Sequence, residues 1–335
     1  MENTKVVFTE PWQVDVQHDG IADLRLEGKQ ALVRKLYTLI SAGTELACLS
    51  GLESWFLMPG VPGYSAVSEI VEVGPEANGF QVGDRIYHHG NHAKYEVVET
   101  DGFCLKVPNG LESRWVPYTR LATVAITAIR ASQIEVGDYV GVSGMGLVGN
   151  MASQLAKLQG GNVIGLDLSE SRLHTARQCG MNHAIRIGQG SVKEEIMTIT
   201  QGEGVSTMIE ATGVPKVAED ALDWVKRSGE LILLGSPRGD YESNLTSVLN
   251  HCHLYQGGNL TLKGAHEWRY PVMPNEFVKH SIYRNSKVVF SLMEQHRLQI
   301  EPLISHVVKP EGAPQAYEGL RFRKDDYYGV LIDWQ

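Results

Sequence analysis

The sequence predicts an α/β protein in which a doubly wound parallel sheet is joined to a second, β-rich region. Three observations predict this class. Strand-like and helix-like segments alternate from Tyr139 to about Ala265, and the first of these strands runs straight into a glycine-rich turn and a helix. Before Val107, by contrast, the chain holds only short Val- and Ile-rich runs broken by Gly, Pro and Asp. The 335 residues amount to about two domains of ~150 residues, each large enough to bury its own core.

The β-rich part reads KVVF, ALVRKLY, AVSEIVEVG, DRIYHH, KYEVVE and CLKVP, from Lys5 to Val107. Short β-branched runs closed by turn residues are strands. Leu121, Val124, Ala125, Ala128 and Ile129 recur at helical spacing and predict a helix within Leu111–Ser132. The rhythm then changes to YVGVSG, a helix over Val148–Gln159, NVIGLDL, a helix over Glu170–Cys179, HAIRI and a helix over Val192–Thr200. STMIEAT, a helix over Pro215–Lys226, ELILLGS and LTLKGA continue it. Strand and crossover helix in succession build a parallel sheet covered on both faces. After Pro271 come a helix at about Asn275–His296, LISHVV, a helix at Pro310–Leu320 and YGVLIDW.

Composition narrows the function. With 43% hydrophobic and 21% charged residues the chain reads as an ordinary globular protein. A net charge of −9 offers no basic surface to follow phosphates, which excludes nucleic acid as a first choice of partner and favours a small molecule. The opening residues MENTKVVFTEPWQVDV lack a basic, then apolar, leader pattern, and no run of about 18 apolar residues occurs. The expectation is a cytoplasmic protein with no membrane partner. Cys48, Cys104, Cys179 and Cys252 form no CxxC pair, which suits reduced thiols.

The strongest motif is Gly144-Met-Gly146-Leu147-Val148-Gly149, a GxGxxG between the strand YVGVS and the helix GNMASQLAKL. The first glycine permits the sharp turn, the second lets backbone approach a pyrophosphate, and the third lets helix and sheet pack closely. The helix N-terminus presents free N–H groups to the anion. Asp167 ends the next strand, 23 residues beyond Gly144, at the spacing of the acid that binds the adenosine ribose. A carboxylate there repels a 2′-phosphate, so NAD is the expected cofactor. Arg172, a turn further on, is either a solvated helix residue or a phosphate ligand. Glu210-Ala211-Thr212-Gly213 and Leu234-Gly235-Ser236 end two more strands. In a parallel sheet those ends face the cofactor cleft, which makes Ala211, Thr212, Gly235 and Ser236 candidates for its nicotinamide-side wall.

Together these residues resemble the medium-chain dehydrogenase/reductase family, the zinc alcohol and polyol dehydrogenases and their zinc-free relatives. LVRKLYTLISAGTEL, PGYSAVSEIVEVGP, VGDRIYHHGNHAKYEVV, VGDYVGVSGMGLVGNMASQLAKLQG, VIGLDLSESRL, MIEATGVP and GELILLGS are similar to family segments in family order. The resemblance implies a GroES-like β domain, residues 1–117 and 271–335, carrying the substrate residues. It implies a Rossmann NAD-binding domain over 118–270, with a cleft between the two. Homodimers or homotetramers are also implied.

This chain departs from the zinc-bearing pattern. Where those relatives carry a ligand cysteine it has Ala42, where they have Pro-Gly-His-Glu it reads Pro62-Gly63-Tyr64-Ser65, and the third ligand position falls near Arg120. Ala, Tyr and Arg supply no ordinary zinc set, so no metal is expected. His88, His89 and His92 are read as solvated loop residues, with His92 near the family's substrate strand.

Without a metal to lower the hydroxyl's pKa, general-base catalysis must remove its proton. The candidates are Tyr64 with Thr44 at the reacting oxygen, His92 as base or proton shuttle, and Glu45. Tyr64 also reads as a cavity-filling aromatic, Glu45 as a structural partner, and Arg120 as one half of an ion pair across the domain seam. Trp55, Asn91, Arg120 and Trp268 are candidate substrate contacts. LISAGTEL and HCHLYQGGNLTLKGAHEWRYP resemble a zinc-degenerate subgroup close to glycoside 3-dehydrogenases. The leading expectation is an NAD-dependent, zinc-independent oxidoreductase acting on a secondary alcohol of a sugar, glycoside or cyclitol. An NADPH-dependent quinone or enone reductase and a catalytically silent nucleotide-binding sensor are the alternatives.

Overall fold

The computed structural model describes residues 2–20, 25–77 and 79–335. The first part runs β1 (Glu2–Glu10), β2 (Gln13–Gly20), β3 (Gln30–Leu39), α1 (Ala42–Leu49), β4 (Ala66–Val73), β5 (Arg85–His88), β6 (Tyr95–Glu99) and β7 (Cys104–Lys106). Then follow α2 (Thr119–Ala131), β8 (Tyr139–Ser143), α3 (Leu147–Gln159), β9 (Asn162–Asp167), α4 (Glu170–Gln178), β10 (His183–Arg186) and α5 (Val192–Ile199). β11 (Val205–Glu210), α6 (Pro215–Ala221), β12 (Val225–Leu233), α7 (Leu245–His253) and β13 (Thr261–Gly264) complete the alternating region. The tail holds α8 (Ile282–Glu294), β14 (His306–Val308), α9 (Ala313–Phe322) and β15 (Val330–Asp333).

Strands β8 to β13 form one all-parallel sheet in the order β10-β9-β8-β11-β12-β13. The order reverses at β8, and that switch point is where such sheets open a ligand crevice at the carboxyl ends of their strands. β11 is buried at every residue, as expected of a central strand covered by helices on both faces. A second sheet, ordered β14-β15-β3-β4-β5-β7 with β6 on β3, is antiparallel except for β14 on β15. The last strand therefore returns to the first part of the chain and pairs with β3.

Three boundaries differ from expectation. The segment read as a helix over Pro215–Lys226 tightens to a 3-10 turn at Leu222–Trp224, and β12 already begins at Val225. The helix expected from Asn275 starts at Ile282, where Ser281 accepts the N–H of Arg284 as its cap. Before α2 the chain forms a separate 3-10 turn, Val116–Tyr118. Two helices went unforeseen: α1, which lies in the stretch read as strands, and α7, none of whose residues is buried although Leu245, Val248, Leu249 and Cys252 recur at helical spacing.

Candidate active site

Gly144 sits at φ +89, a conformation that side chains resist, and lets the chain turn from β8 into α3. A Cβ on Gly149 would lie 1.7 Å from the Gly144 carbonyl oxygen, so only glycine lets the helix pack this close. A Cβ on Gly146 would meet nothing within 4 Å, and α3 has no side-chain cap. The first turn of α3, Leu147 and Val148 included, thus keeps uncapped N–H groups beside a bare glycine, an arrangement that fits a dinucleotide pyrophosphate.

Asp167 lies where β9 ends and holds the turn together: Oδ2 accepts from Met145 N at 2.6 Å and Oδ1 from Ser169 N at 2.8 Å. Arg172 Nη1 stands 3.9 Å from Asp167 Oδ2, while Nη2 donates to the Lys324 carbonyl at 3.0 Å. On the next strand Glu210 accepts from the backbone of Thr212 and Gly213, which shapes the Ala211–Gly213 turn beside Gly144.

A cleft of about 1050 Å³ opens between α1, the 52–64 segment, the start of α2, the end of β12 and residues 266–268. Thr44, Glu45, Trp55, Tyr64, Arg120, Ser236 and Trp268 all line it, so it gathers most of the catalytic and substrate candidates beside the strand end expected to face nicotinamide. Trp55 and Trp268 are 62% and 57% exposed, broad indole faces available to a ligand. The Tyr64 hydroxyl donates to Ser41 Oγ and has the Thr44 hydroxyl as a further partner. Desolvation pushes this phenol above its ordinary value, so at neutral pH Tyr64 is a proton donor and not a base.

Several expectations need correction. His92 is fully buried and outside the cleft lining; its Nδ1 meets Thr38 Oγ1 at 2.8 Å and its Nε2 meets Glu45 Oε2 at 3.0 Å. With both ring nitrogens engaged it has no free position for a substrate proton. Glu45 reaches the cleft wall, but its carboxylate is consumed by Ser41 N, His92 and the Tyr317 hydroxyl. Asn91 does not line the cleft either. Nor are the row histidines solvated: His88 meets Ser68 Oγ at 2.8 Å, and His89 stacks on Phe103 with centroids 3.9 Å apart. Burial drives His89 down to about 3, leaving it neutral.

Sequence reasoning missed the partner of Arg120. Glu267, on a 3-10 turn at Glu267–Arg269, forms an ion pair with the guanidinium and accepts from Thr123 Oγ1 at 2.6 Å. Arg120 also lies over the Tyr64 ring at 5.2 Å and the Trp268 ring at 5.6 Å. Glu267 lies within HCHLYQGGNLTLKGAHEWRYP, the segment that carries part of the family resemblance, but no local spacing ties it to a residue on α2. A second missed pair, Glu53 and Arg238, joins two walls of the cleft through Arg238 Nη2 at 2.8 Å.

Comparison with known proteins follows this geometry. Residues 148–275 match the family described as zinc-binding dehydrogenase. A sorbitol dehydrogenase of Halalkalibacterium halodurans is 29% identical over 205 residues, 52% of this chain and 60% of that enzyme. An L-threonine 3-dehydrogenase of Pyrococcus horikoshii is 26% identical over 347 residues, 93% of this chain and 92% of that one. The chain is thus similar, over nearly its whole length, to zinc-type polyol and threonine dehydrogenases, with the zinc-binding dehydrogenase match centred on the parallel sheet. A short chain alcohol dehydrogenase of Escherichia coli CFT073, solved with NADH, superposes with a TM-score of 0.83 at 18% identity over 99% of both chains. The fold is accordingly a Rossmann sheet with a GroES-like β domain.

Despite that similarity the cleft departs from a metal centre. Tyr64 and Arg120 place a phenol and a cation in it, and neither is an ordinary zinc donor. Among the described residues no group of three or more His, Cys, Asp and Glu side chains is arranged to hold a metal ion. The residues present do not fit zinc.

Proposed function

We propose that this chain is an NAD-dependent, zinc-independent oxidoreductase that interconverts a secondary alcohol of a sugar, glycoside or cyclitol and its ketone. The observation that carries the reading is the cleft: two exposed indoles, a phenol and a guanidinium converge beside Ser236, with no metal-donor set among them. Indole faces suit the C–H faces of a sugar ring, and the polar groups suit its hydroxyls. Residues 118–270 are taken as the cofactor region, with 1–117 and 271–335 bearing the substrate groups.

The first turn of α3 would hold the pyrophosphate, Asp167 the adenosine ribose, and Gly235 with Ser236 the nicotinamide end. Bound nicotinamide supplies the site with a hydride acceptor or donor. Arg172 is tied to the Lys324 carbonyl and lies toward Asp167, which supports NAD over its 2′-phosphorylated form. Thr44 and Tyr64 orient the reacting oxygen, and the protonated phenol donates a hydrogen bond to a ketone oxygen. The four free cysteines support a cytoplasmic setting, and among the described residues no helix is long and apolar enough to cross a membrane. The uncovered edge strand β13 supports a homodimer or homotetramer, which mass measurement in solution checks.

The test follows NADH formation by metal-stripped protein, with chelator, across glycosides, free sugars, cyclitols and simple secondary alcohols. Turnover on a polyhydroxylated ring is expected. Activity restored only by zinc would overturn the metal-free reading, and silence with NADH binding intact would favour a silent nucleotide-binding protein.

A further inference from the structure

We propose that Arg120 and Glu267 are the pair that holds and deprotonates the substrate hydroxyl, Arg120 donating to its oxygen and Glu267 taking its proton. The inference rests on the oxidoreductase reading above. Both residues line the cleft, yet they are only 8% and 4% exposed. Their charges touch through Arg120 Nη1 and Glu267 Oε2, which have no other hydrogen-bond partner among the described residues, and Arg120 Nε is buried with none. Buried charged atoms with unused hydrogen-bonding capacity are costly, and native chains rarely keep them without a use.

The other carboxylates of the lining are already committed. Glu45 accepts from Ser41 N, His92 and Tyr317, while Glu53 accepts from Arg238 and Trp55. Cys48, also in the wall, is pushed up to about 12 by burial and the nearby carboxylates. Thr123 shares its one hydroxyl proton between Glu267 Oε1 and the Arg120 carbonyl, 2.6 and 2.8 Å away, which leaves Oε2 with Arg120 as its only partner and facing the cleft's substrate position. Consecutive residues of one turn then divide the work: Glu267 is buried at the reacting group and Trp268 is exposed as a platform.

The groups facing Glu267 are Arg120 and Thr123 on α2, Tyr87 on β5 and its neighbour His266. Desolvation lifts its carboxyl above the ordinary range, against the downward pull of Arg120, Thr123 and His266. That makes it a stronger base than a solvated carboxylate. In the oxidation the C–H bond breaks with its electron pair leaving as hydride to an oxidised nicotinamide dinucleotide. The O–H bond breaks with its proton passing to Glu267, the C=O bond forms, and Glu267 returns the proton to water.

The experiment compares wild type with Glu267→Gln, Glu267→Asp, Arg120→Lys and His266→Ala on the best alcohol of the panel. It reads kcat, KM and their pH profiles, with NADH affinity measured separately by fluorescence. Glu267→Gln should lower kcat by about 10²- to 10⁴-fold and abolish the limb that rises with pH, with NADH affinity unchanged. Glu267→Asp, which keeps a counter-ion for Arg120 and serves if the Gln variant fails to fold, should retain that limb at reduced kcat. Arg120→Lys should raise KM and lower kcat together.

The proposal is overturned if Glu267→Gln keeps its pH profile and a kcat within about threefold of wild type, or if His266→Ala removes the limb instead. A wild type that binds NADH and oxidises nothing fails the oxidoreductase reading itself, and the pair falls with it. Turnover by wild type with an indifferent Glu267→Gln fails the pair alone.

Discussion

The Glu45–His92 cluster and the Arg120–Glu267 pair are both buried, ionisable and assembled from distant segments, but they use their hydrogen bonds differently. In the first, every oxygen and ring nitrogen has a partner, drawn from Ser41, Thr38 and Tyr317 as well as from each other. In the second, Arg120 Nε has no partner, and Arg120 Nη1 and Glu267 Oε2 have only each other. A satisfied network locks α1 to β3 and α9 and gives up nothing to a ligand, whereas an unsatisfied one is destabilising until something binds. The difference separates a brace from a reactive site among residues that look alike in sequence.

The largest effect tests the brace. Glu45→Ala strips the acceptor from Ser41 N, His92 and Tyr317 at once and leaves three buried groups unpaired. We expect a loss of about 3–5 kcal/mol in urea unfolding. A loss below about 1 kcal/mol would erase the distinction.

Next comes the reactive pair. Arg120→Met with Glu267→Leu removes both charges together, and Thr123 keeps the Arg120 carbonyl as an acceptor. Unfolding should show a change between zero and a gain of about 2 kcal/mol, because apolar replacement of a buried ion pair is often neutral or stabilising. Turnover should be lost. Destabilisation as large as that of Glu45→Ala would make the pair a second brace.

This contrast also explains what could be read from the chain. Gly144, Gly149 and Asp167 were legible because a tight turn followed by a helix imposes its residue types locally, within a few positions of the motif. Tyr64, Thr44 and Trp268 were reached through resemblance and do line the cleft. His92 was misplaced because nothing in GNHAKY shows that Thr38 and Glu45 close over both ring nitrogens. Glu267 was missed for the same reason: Thr123, its hydrogen-bond donor, is 144 residues away, and only the packed fold brings them together. The alternating strands and helices were plain, but the exact start of α8 depended on the Ser281 cap, which periodicity does not report.

Tyr64 stands between the two clusters, with its hydroxyl on Ser41, the residue whose N–H Glu45 accepts, and its ring under Arg120. Tyr64→Phe keeps the ring and deletes one hydrogen bond, so stability should fall by about 1 kcal/mol. If the hydroxyl also donates to a ketone, reduction should slow more than substrate affinity weakens, read as a kcat loss at nearly constant KM. A wild-type kcat for Tyr64→Phe would make it only a wall of the cavity.

The smallest effect is linked to pH. Glu267 has its carboxyl raised in the folded state above the ordinary 4.5, chiefly by desolvation. The unfolded chain therefore ionises first as pH rises. The stability associated with the protonated carboxyl is present in full below 4.5 and is lost as pH climbs through the folded value. The attraction of Arg120 opposes the desolvation and so reduces this slope. Wild type minus the Arg120→Met/Glu267→Leu variant should therefore show a stability difference that turns against wild type between about pH 4.5 and neutrality, measured by urea unfolding at each pH. The same subtraction with Glu267→Gln, which keeps Arg120 charged, separates desolvation from the ion pair. If the difference moves the other way, Arg120 dominates Glu267, and the pair resembles the committed acids of the brace more than a base poised to accept a proton.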